Sequence, residues 1–192
     1  MLMIFLLGLP ATARAWSVEK TAGEVSYLSK RMKATPKIGA ELHAGDKIIT
    51  GADGKVLLKD GESEIWLGSV TEFEVHKLAD TGKSVMGRLD VLKGKLRAKF
   101  KRPGGPESYP YEVKMKSVVA GVRGTEFFVD VDGSEEKLCT LEGLVRVTSV
   151  KSAAESWDVE AGHGLFIKPG EMPKVRETSA ELQAKWLGAT SF

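Results

Sequence analysis

An all-β fold is what this sequence predicts, and three observations support that prediction. Strand-length runs in which apolar and polar residues alternate recur from Glu24 onward, a pattern typical of half-buried strands. Asp-Gly pairs separate some of these runs, at residues 53–54, 60–61 and 132–133, and Asp-Gly is a strong hairpin signal. Helical periodicity is missing through the middle of the chain. Many short strands of this kind predict either a solenoid-like twisted β stack or a jelly-roll-like sandwich.

The predicted strands follow one another at short intervals. In chain order they are GEVSYLSK, KVLLKD, SEIWLG, EFEVHKL, GKLRAKF, YEVKMK, EFFVDV, KLCTL, LVRVTSV and GLFIK. Four glycines, Gly45, Gly94, Gly143 and Gly162, each follow an apolar residue by two or three positions and precede another apolar run. Glycine adopts left-handed backbone conformations without steric cost. We therefore predict that these four glycines are equivalent corners of a coiling sheet.

The N-terminus has the pattern of a targeting segment. Residues 1–15 join a short apolar block to the small residues Ala13 and Ala15, which predicts a signal peptide cleaved after Ala15. The block is shorter than a bilayer span requires, and no second block of that kind follows. We therefore expect no transmembrane segment in the mature chain. We predict a β domain over residues 16–170 and a C-terminal tail over residues 171–192.

That tail carries the signals of one short amphipathic helix. Thr178 and Glu181 form a capping box, which opens a helix, and Gly188 is its predicted end. Leu182 and Trp186 fall on one side of this helix. We expect that side to pack on the sheet, because exposed apolar stripes are uncommon on monomeric proteins. The alternative is that it docks a partner.

Charge and composition exclude several functions. Lys and Arg total 28 against 26 Asp and Glu, and the signs alternate along the chain, so we expect no nucleic-acid partner. His43, His76 and His163 are isolated from other metal-ligand residues, and no nucleophile–base motif is present. We therefore expect no cofactor, no metal and no catalytic residue. The lone Cys139, in an apolar setting, is expected to be buried and unreactive.

The most distinctive stretch is VVAGVRGTEFFVDV at residues 118–131. Its Gly-Val-Arg-Gly segment is flanked by predicted strands, whereas the GXXG loop of KH domains lies between helices. It also lacks the Lys-Ser/Thr pair of a phosphate-binding P-loop. Phe127, Val129 and Val131 give the following strand one apolar face. Phe128 lies on the opposite face, so we predict that this face is covered as well.

The sequence SVVAGVRGTEFFVDVDGSEEKLCTLEGLVRV resembles the signature of the FecR-like domain family. The hallmark is a Val-Arg-Gly-Thr motif before an alternating strand, then a Leu-Glu-Gly corner before the next strand. The matching residues are Val122, Arg123, Gly124, Thr125, Leu141, Glu142 and Gly143. The resemblance covers about residues 23–168, and we interpret these residues as defining the fold. We expect the guanidinium of Arg123 to bond backbone carbonyls or a carboxylate across the neighbouring corner, a geometry that Lys cannot reproduce.

The resemblance implies a non-enzymatic module on the envelope side of the cell. The best-known members relay a signal from an outer-membrane transporter to a sigma factor, using a cytoplasmic sigma-binding region and one transmembrane helix. Here a predicted signal peptide precedes the β domain, so we expect a free-standing exported FecR-like domain, periplasmic or extracellular. We expect it to bind an envelope protein, in signalling or as an adaptor, by accepting a strand at a sheet edge.

A cell-wall glycan is the alternative ligand. Exposed aromatic rings stack on sugars, and four aromatic residues could do so if the fold brings them together: Trp66, Tyr109, Tyr111 and Trp157.

Overall fold

The computed structural model describes residues 15–30, 32–80, 85–101 and 111–192, without the side chains of residues 77–80 and 85–86. The predicted signal peptide, apart from Ala15, lies outside these residues. Seventeen strands and one helix occupy the described ranges. The prediction of an all-β fold with a short C-terminal helix is therefore confirmed.

The strands divide into two groups around one long strand. The first group consists of β1 (Trp16–Ala22), β2 (Val25–Ser29), β3 (Met32–Ala34), β4 (Glu41–Leu42), β5 (Lys47–Thr50), β6 (Lys55–Asp60), β7 (Ser63–Leu67) and β8 (Glu72–Asp80). The long strand is β9 (Val85–Lys99). The second group consists of β10 (Tyr111–Lys114), β11 (Val118–Val122), β12 (Glu126–Asp132), β13 (Glu135–Glu142), β14 (Leu144–Ser149), β15 (Ser156–Glu160), β16 (His163–Ile167) and β17 (Lys174–Glu177), followed by the helix α1 (Ala180–Thr190).

Two sheets share β9. Sheet A has the order β4-β1-β6-β7-β9-β12-β13-β16-β17. Sheet B has the order β3-β2-β5-β8-β9-β10-β11-β14-β15. Residues 85–93 of β9 pair with β8 in sheet B, and residues 94–99 pair with β12 in sheet A. All these pairings are antiparallel except that of β9 with β10, which is parallel.

The second half of the chain shows how the sheets are wound. Successive strand pairs alternate between the sheets: β10 and β11 in sheet B, β12 and β13 in sheet A, β14 and β15 in sheet B, then β16 and β17 in sheet A. Each pair adds beside the previous pair of its own sheet, through β11–β14 and β13–β16. Of the two predicted architectures, this winding is the solenoid-like one.

The four predicted glycine corners are confirmed by their backbone angles. Gly45, Gly94, Gly143 and Gly162 have φ of 92°, 93°, 82° and 82°, values that L-residues with a side chain rarely adopt. Gly94 is the corner at which β9 passes from sheet B to sheet A.

The burial pattern of β9 shows what the Gly94 corner does. Leu89 and Val91 point into the core before Gly94, and Leu96 and Ala98 point into the core after it. The alternation of buried side chains therefore shifts by one residue at Gly94, which turns the strand so that it faces the same core from the opposite sheet.

Gly94 also packs closely against Thr71, the residue before β8. The hydroxyl of Thr71 accepts a hydrogen bond from the Lys95 amide at 3.0 Å and donates to the Lys95 carbonyl at 3.1 Å. A Cβ on Gly94 would lie 2.4 Å from the Cα of Thr71. This corner thus requires glycine both for its backbone angle and for the close approach of Thr71.

One apolar cluster fills the space between the two sheets. Its largest members form a chain of rings, in which Trp16 lies 5.5 Å from Tyr111 and 6.0 Å from Phe100. Phe100 in turn lies 6.0 Å from Phe127 and nearly parallel to it. Burial of these rings joins the first strand to the middle of the chain and to the strand after the Val-Arg-Gly-Thr motif.

The outer face of sheet A is partly covered by α1, as predicted. The ring of Trp186 stacks on Phe128 with centroids 5.0 Å apart, and Cys139 is buried beside them. Burial raises the pKa of the Cys139 thiol, an effect that its hydrogen bond with Thr178 opposes only in part. The covered face behind Phe128 and the burial of Cys139 are therefore confirmed, and the low reactivity of the thiol stays a prediction.

The ends of α1 differ from the prediction. Ser179, not Thr178, caps the helix, because its hydroxyl accepts a hydrogen bond from the Leu182 amide at 3.2 Å. The hydroxyl of Thr178 instead donates to the carbonyl of Gly162 at 2.7 Å. The helix also continues past Gly188 to Thr190, whose side chain is buried.

The C-terminal end of α1 reaches the first strands of sheet A. The ammonium of Lys55, in β6, donates to the carbonyl of Ser191. The ammonium of Lys20, in β1, lies 4.5 Å from the centroid of the Phe192 ring. The helix thus crosses sheet A from β16 towards β1 and covers part of its outer face. Within the described ranges, no helix has the length and apolar character to cross a membrane.

A glycine-to-alanine pair tests the Gly94 corner. We expect Gly94→Ala to lower the melting temperature far more than Gly45→Ala, because a Cβ on Gly45 meets nothing within 4 Å although its φ is nearly the same. The left-handed angle costs each variant about 1–2 kcal/mol, and only Gly94→Ala adds overpacking, typically about 1–3 kcal/mol. Thermal unfolding of the two purified variants measures the difference. Equal losses would show that the approach of Thr71 contributes nothing.

Candidate functional site

The two halves of the Val-Arg-Gly-Thr and Leu-Glu-Gly signature meet in space. The first half forms the bend between β11 and β12, where Val122 and Thr125 are buried and Gly124 has φ of 59°. Gly143 lies directly against this bend, since a Cβ on it would be 3.1 Å from the Gly124 carbonyl oxygen and from the Thr125 methyl group. The signature therefore forms one packed corner.

The other signature residues differ in exposure. Leu141 is half-buried against the Phe128 and Trp186 cluster, whereas Glu142 is exposed. Arg123 is half-buried within the bend, and its expected bonding across the neighbouring corner stays a prediction.

A charged network begins directly after the corner. Glu126 accepts a hydrogen bond from Arg97 Nε at 2.8 Å, and Arg97 Nη2 also donates to it. Lys99 Nζ donates to the other Glu126 oxygen at 2.8 Å and lies 3.6 Å from Glu142. The side chain of Glu126 is only 10% exposed, so this carboxylate is stabilised by two cations in a largely dry position.

Arg97 links this network to Trp66. The two residues are directly opposite on β9 and β7, and the guanidinium carbon lies 4.6 Å from the centroid of the Trp66 ring. Both side chains are half-buried on the outer face of sheet A. The cation–π contact and the bonds to Glu126 together hold the guanidinium in one orientation.

A hollow of about 200 Å³ lies beside this network. It is lined by Lys99, Phe100, Lys101, Gly124, Thr125 and Glu142. We call Trp66, Arg97, Lys99, Glu126 and Glu142, with this hollow, the Trp66–Arg97 surface. It combines an aromatic–guanidinium contact with two cations and two carboxylates.

The network changes the titration of its members. Burial alone would raise the pKa of the Glu126 carboxyl, but hydrogen bonds from Lys99 and Arg97, together with their charges, outweigh burial and hold that pKa below its ordinary value. The same hydrogen bond and the charge of Glu126 raise the pKa of Lys99. Both groups are therefore charged at neutral pH.

Of the four aromatic residues considered for glycan stacking, the three that the structure describes do not come together. Tyr111 is buried in the core against Trp16 and Phe100. Trp66 lies on the outer face of sheet A, whereas Trp157 is in sheet B and packs against the core. Tyr109 lies outside the described residues.

The three histidines also lie apart from one another, and His163 Nδ1 is 3.4 Å from the carbonyl oxygen of Ala161. His43 lies 3.7 Å from Asp46, and His76 lies 3.7 Å from Asp90. Across the described part of the chain, no group of three or more His, Cys, Asp and Glu side chains is placed to hold a metal ion.

Sequence reasoning identified the corner but missed the surface beside it. The Trp66–Arg97 contact depends on the pairing of β7 with β9, and nothing in the local sequence of either strand specifies that partner. The sequence offers one signal of this surface. Arg97 and Lys99 lie two residues apart on the polar face of one strand, and Glu64 and Trp66 have the same spacing on another.

Comparison with known proteins gives one family and one fold. The family described as "FecR protein" matches residues 46–146. Two crystal structures of a candidate anti-sigma factor from Parabacteroides distasonis ATCC 8503 share the fold, each with a TM-score of 0.60 and 13% sequence identity. Each match covers 73% of this chain, and the chain spans 63% and 64% of the length of those structures. No curated protein sequence matches the chain.

Replacement of Glu126 tests the charged network through pH. A carboxyl whose pKa is lowered by folding contributes stability above its unfolded pKa, and that stability is lost as the pH falls through the folded pKa. We therefore expect Glu126→Gln to lower the melting temperature by several degrees at pH 7. Each kcal/mol of unfolding free energy that is lost lowers the melting temperature by about 2–4 °C in a protein of this size. The gap to the wild type should close as the pH falls below about 4.

Glu62→Gln is the matched control, because Glu62 is exposed in the turn between β6 and β7. Its melting temperature should follow that of the wild type at every pH. A gap for Glu126→Gln that is independent of pH would mean that the carboxylate charge does not stabilise the fold.

Proposed function

The chain belongs to the FecR protein family, and from that premise we propose that it is a non-enzymatic, protein-binding module of envelope signalling. The solved structures with this fold, described as candidate anti-sigma factors, support a regulatory role. Because the chain spans less than two thirds of their length, we propose for it only the binding role of the β domain.

The Trp66–Arg97 surface is the observation that supports this function best. Tryptophan and arginine are the residue types most enriched where binding energy concentrates in protein interfaces. Here they are in contact and held in place by Glu126. They also lie on the part of sheet A next to the family's own signature corner, and α1 packs beside them over Phe128, the residue directly opposite Arg97. We propose that an envelope protein docks on this surface.

The proposed location is the periplasm, after export. Residues 1–15 carry the pattern of a cleavable signal peptide. β1 begins at Trp16, the residue after the proposed cleavage site, and the Trp16 side chain is fully buried. Cleavage after Ala15 would therefore leave the whole of β1 in the mature protein.

Site-specific crosslinking tests the docking surface. We would place a photo-crosslinking amino acid at Leu57, which lies opposite Trp66 in β6, and irradiate cells of the source organism. We expect one discrete adduct with an envelope protein, to be identified by mass spectrometry. The adduct should be lost when Trp66→Ala and Arg97→Ala are added, because both anchors are then removed.

Lys47→Ala is the control for the adduct. Lys47 is also a half-buried cation bound by glutamates, Glu72 and Glu74, but it lies in sheet B. It should leave the adduct unchanged. No adduct, or one that survives loss of Trp66 and Arg97, would contradict docking at this surface.

N-terminal sequencing tests the proposed export separately. The protein recovered from a periplasmic fraction should begin at Trp16. Recovery from the cytoplasmic fraction alone, with residues 1–15 intact, would contradict export.

A further inference from the structure

Each sheet ends in two edge strands, and the pair formed by β15 and β17 lies outside the Trp66–Arg97 surface, with no further neighbour among the described residues. β15 is the last strand of sheet B and pairs there with β14, and β17 is the last strand of sheet A and pairs there with β16. Both lie on the same side of β9 in the strand order of their sheets. An unpaired edge presents backbone N–H and C=O groups that accept another strand.

The free backbone groups of β15 can be assigned from its pairing with β14. The amide of Ser149 donates to the Glu155 carbonyl at 2.9 Å, and the register continues without a shift through the pair. Hydrogen-bonded pairs alternate with non-bonded pairs in an antiparallel ladder. The backbone groups of Asp158 and Glu160 therefore point to the open edge, and both side chains are exposed on the outer face.

The same reasoning applies to β17. The amide of Thr178 donates to the Gly162 carbonyl at 2.8 Å, so the backbone groups of Val175 point to the open edge. The side chains of Lys174 and Arg176 are exposed. Val175 pairs with Leu165, which is buried in the core, so its side chain points to the inner face of sheet A. Lys174 and Arg176 flank Val175, and their side chains therefore point to the outer face.

The two edges are complementary in charge. The outer positions of β15 carry Asp158 and Glu160, and those of β17 carry Lys174 and Arg176, with the same two-residue spacing. Pairing β17 with a second β17 would place cations opposite cations, and pairing β15 with a second β15 would oppose carboxylates. Like charges directly opposite one another destabilise a sheet, and unlike charges stabilise it.

Two of these charged groups already have a partner within each protomer. Arg146 of β14 donates two hydrogen bonds to Asp158, and Lys174 lies 3.7 Å from Glu171. Pairing of β15 with β17 therefore adds a second partner to each of these exposed groups.

We propose that the protein forms a two-fold dimer in which β15 of each protomer adds, in parallel, to β17 of the other. In a parallel pair, a residue whose backbone groups face the partner strand lies opposite a residue whose backbone groups face away from it. The backbone groups of Asp158 and Glu160 face the open edge of β15, whereas those of Lys174 and Arg176 face β16. Side chains on the same face then meet as Asp158 with the partner's Lys174, and Glu160 with the partner's Arg176.

The inner face of the sheets supports the same register. Val159, between the two acids, is buried in the core, whereas Val175, between the two bases, is 39% exposed. The proposed register places Val159 beside the partner's Val175, so the dimer removes from water an apolar side chain that the monomer leaves exposed. Because each protomer gives one edge and accepts one, the pairing closes on itself and does not propagate.

This inference does not rest on the proposed function. The Trp66–Arg97 surface includes neither β15 nor β17, so a dimer leaves it free for a different partner.

Sedimentation equilibrium of the purified protein tests the dimer. We expect a mass twice that of the 20.8 kDa chain, or of the mature chain if it is processed, at concentrations of tens of micromolar. Higher salt should shift the equilibrium towards monomer, because exposed charges are screened. A monomer at every concentration, or a continuous series of larger species, would overturn the proposal.

Charge reversal tests the register with its own internal control. Lys174→Glu with Arg176→Glu makes both edges acidic, and Asp158→Lys with Glu160→Lys makes both edges basic. We expect each double variant to be monomeric alone, with at least a tenfold weaker dimer. An equimolar mixture of the two should form a heterodimer, because each acidic edge then meets a basic one.

Lys33→Glu with Lys37→Glu makes the same change in net charge at exposed positions away from both edges and should leave the dimer intact. If a charge-reversed variant fails to fold, Val175→Pro gives a second test, since proline removes an amide that faces the open edge. Dissociation by Val175→Pro supports the proposal. A dimer that survives Val175→Pro, or a mixture of charge variants that stays monomeric, contradicts it.

Discussion

The passage of β9 from sheet B to sheet A at Gly94 is the constraint on which the rest of the structure depends. In each sheet, four strands lie on one side of β9 and four on the other, so neither sheet is continuous without β9. The crossing needs a left-handed angle at Gly94 and the contact with Thr71, whose hydroxyl satisfies both backbone groups of Lys95. This bend brings the two apolar faces of β9 to the same core from opposite sides.

The crossing also determines where the exposed functional groups lie. After Gly94 the polar side chains of β9, including Arg97 and Lys99, point to the outer face of sheet A. There they meet Glu126, which directly follows the signature corner. α1 packs beside them, over Phe128, the residue of β12 directly opposite Arg97. The signature residues Val122 and Thr125 are buried in the packed corner, and the proposed recognition belongs to the side chains beside it.

Much of the fold could be predicted from the sequence because most of its strands are identified by residues within the strand or in the adjacent turn. Alternation and Asp-Gly turns located most of the strands of the described chain, and the four corner glycines were found from their apolar neighbours. The packing of Trp186 and the burial of Phe128 followed from amphipathicity. These features depend on residues close to one another in the chain.

Features set by long-range pairing could not be predicted in the same way. β1, β3, β4, β15 and β17 were missed, because four of them are short edge strands with exposed residues and β1 pairs only with distant strands. The burial of Tyr111 depends on its contact with Trp16, 95 residues earlier. The alternation of apolar residues shifts by one position between Val91 and Leu96, and this shift is visible in the sequence of β9. It can be interpreted as a crossing between sheets only once β9 is known to belong to both.

Hydrogen exchange of the β9 amides under native conditions tests the central role of this strand most directly. If both sheets depend on one shared strand, the amides of Val91 in sheet B and Leu96 in sheet A should exchange only through global unfolding. Their opening free energies should then be equal to each other and to the free energy of unfolding measured with denaturant. Two distinct opening free energies, one for each side of Gly94, would show that the sheets unfold separately and would contradict this account.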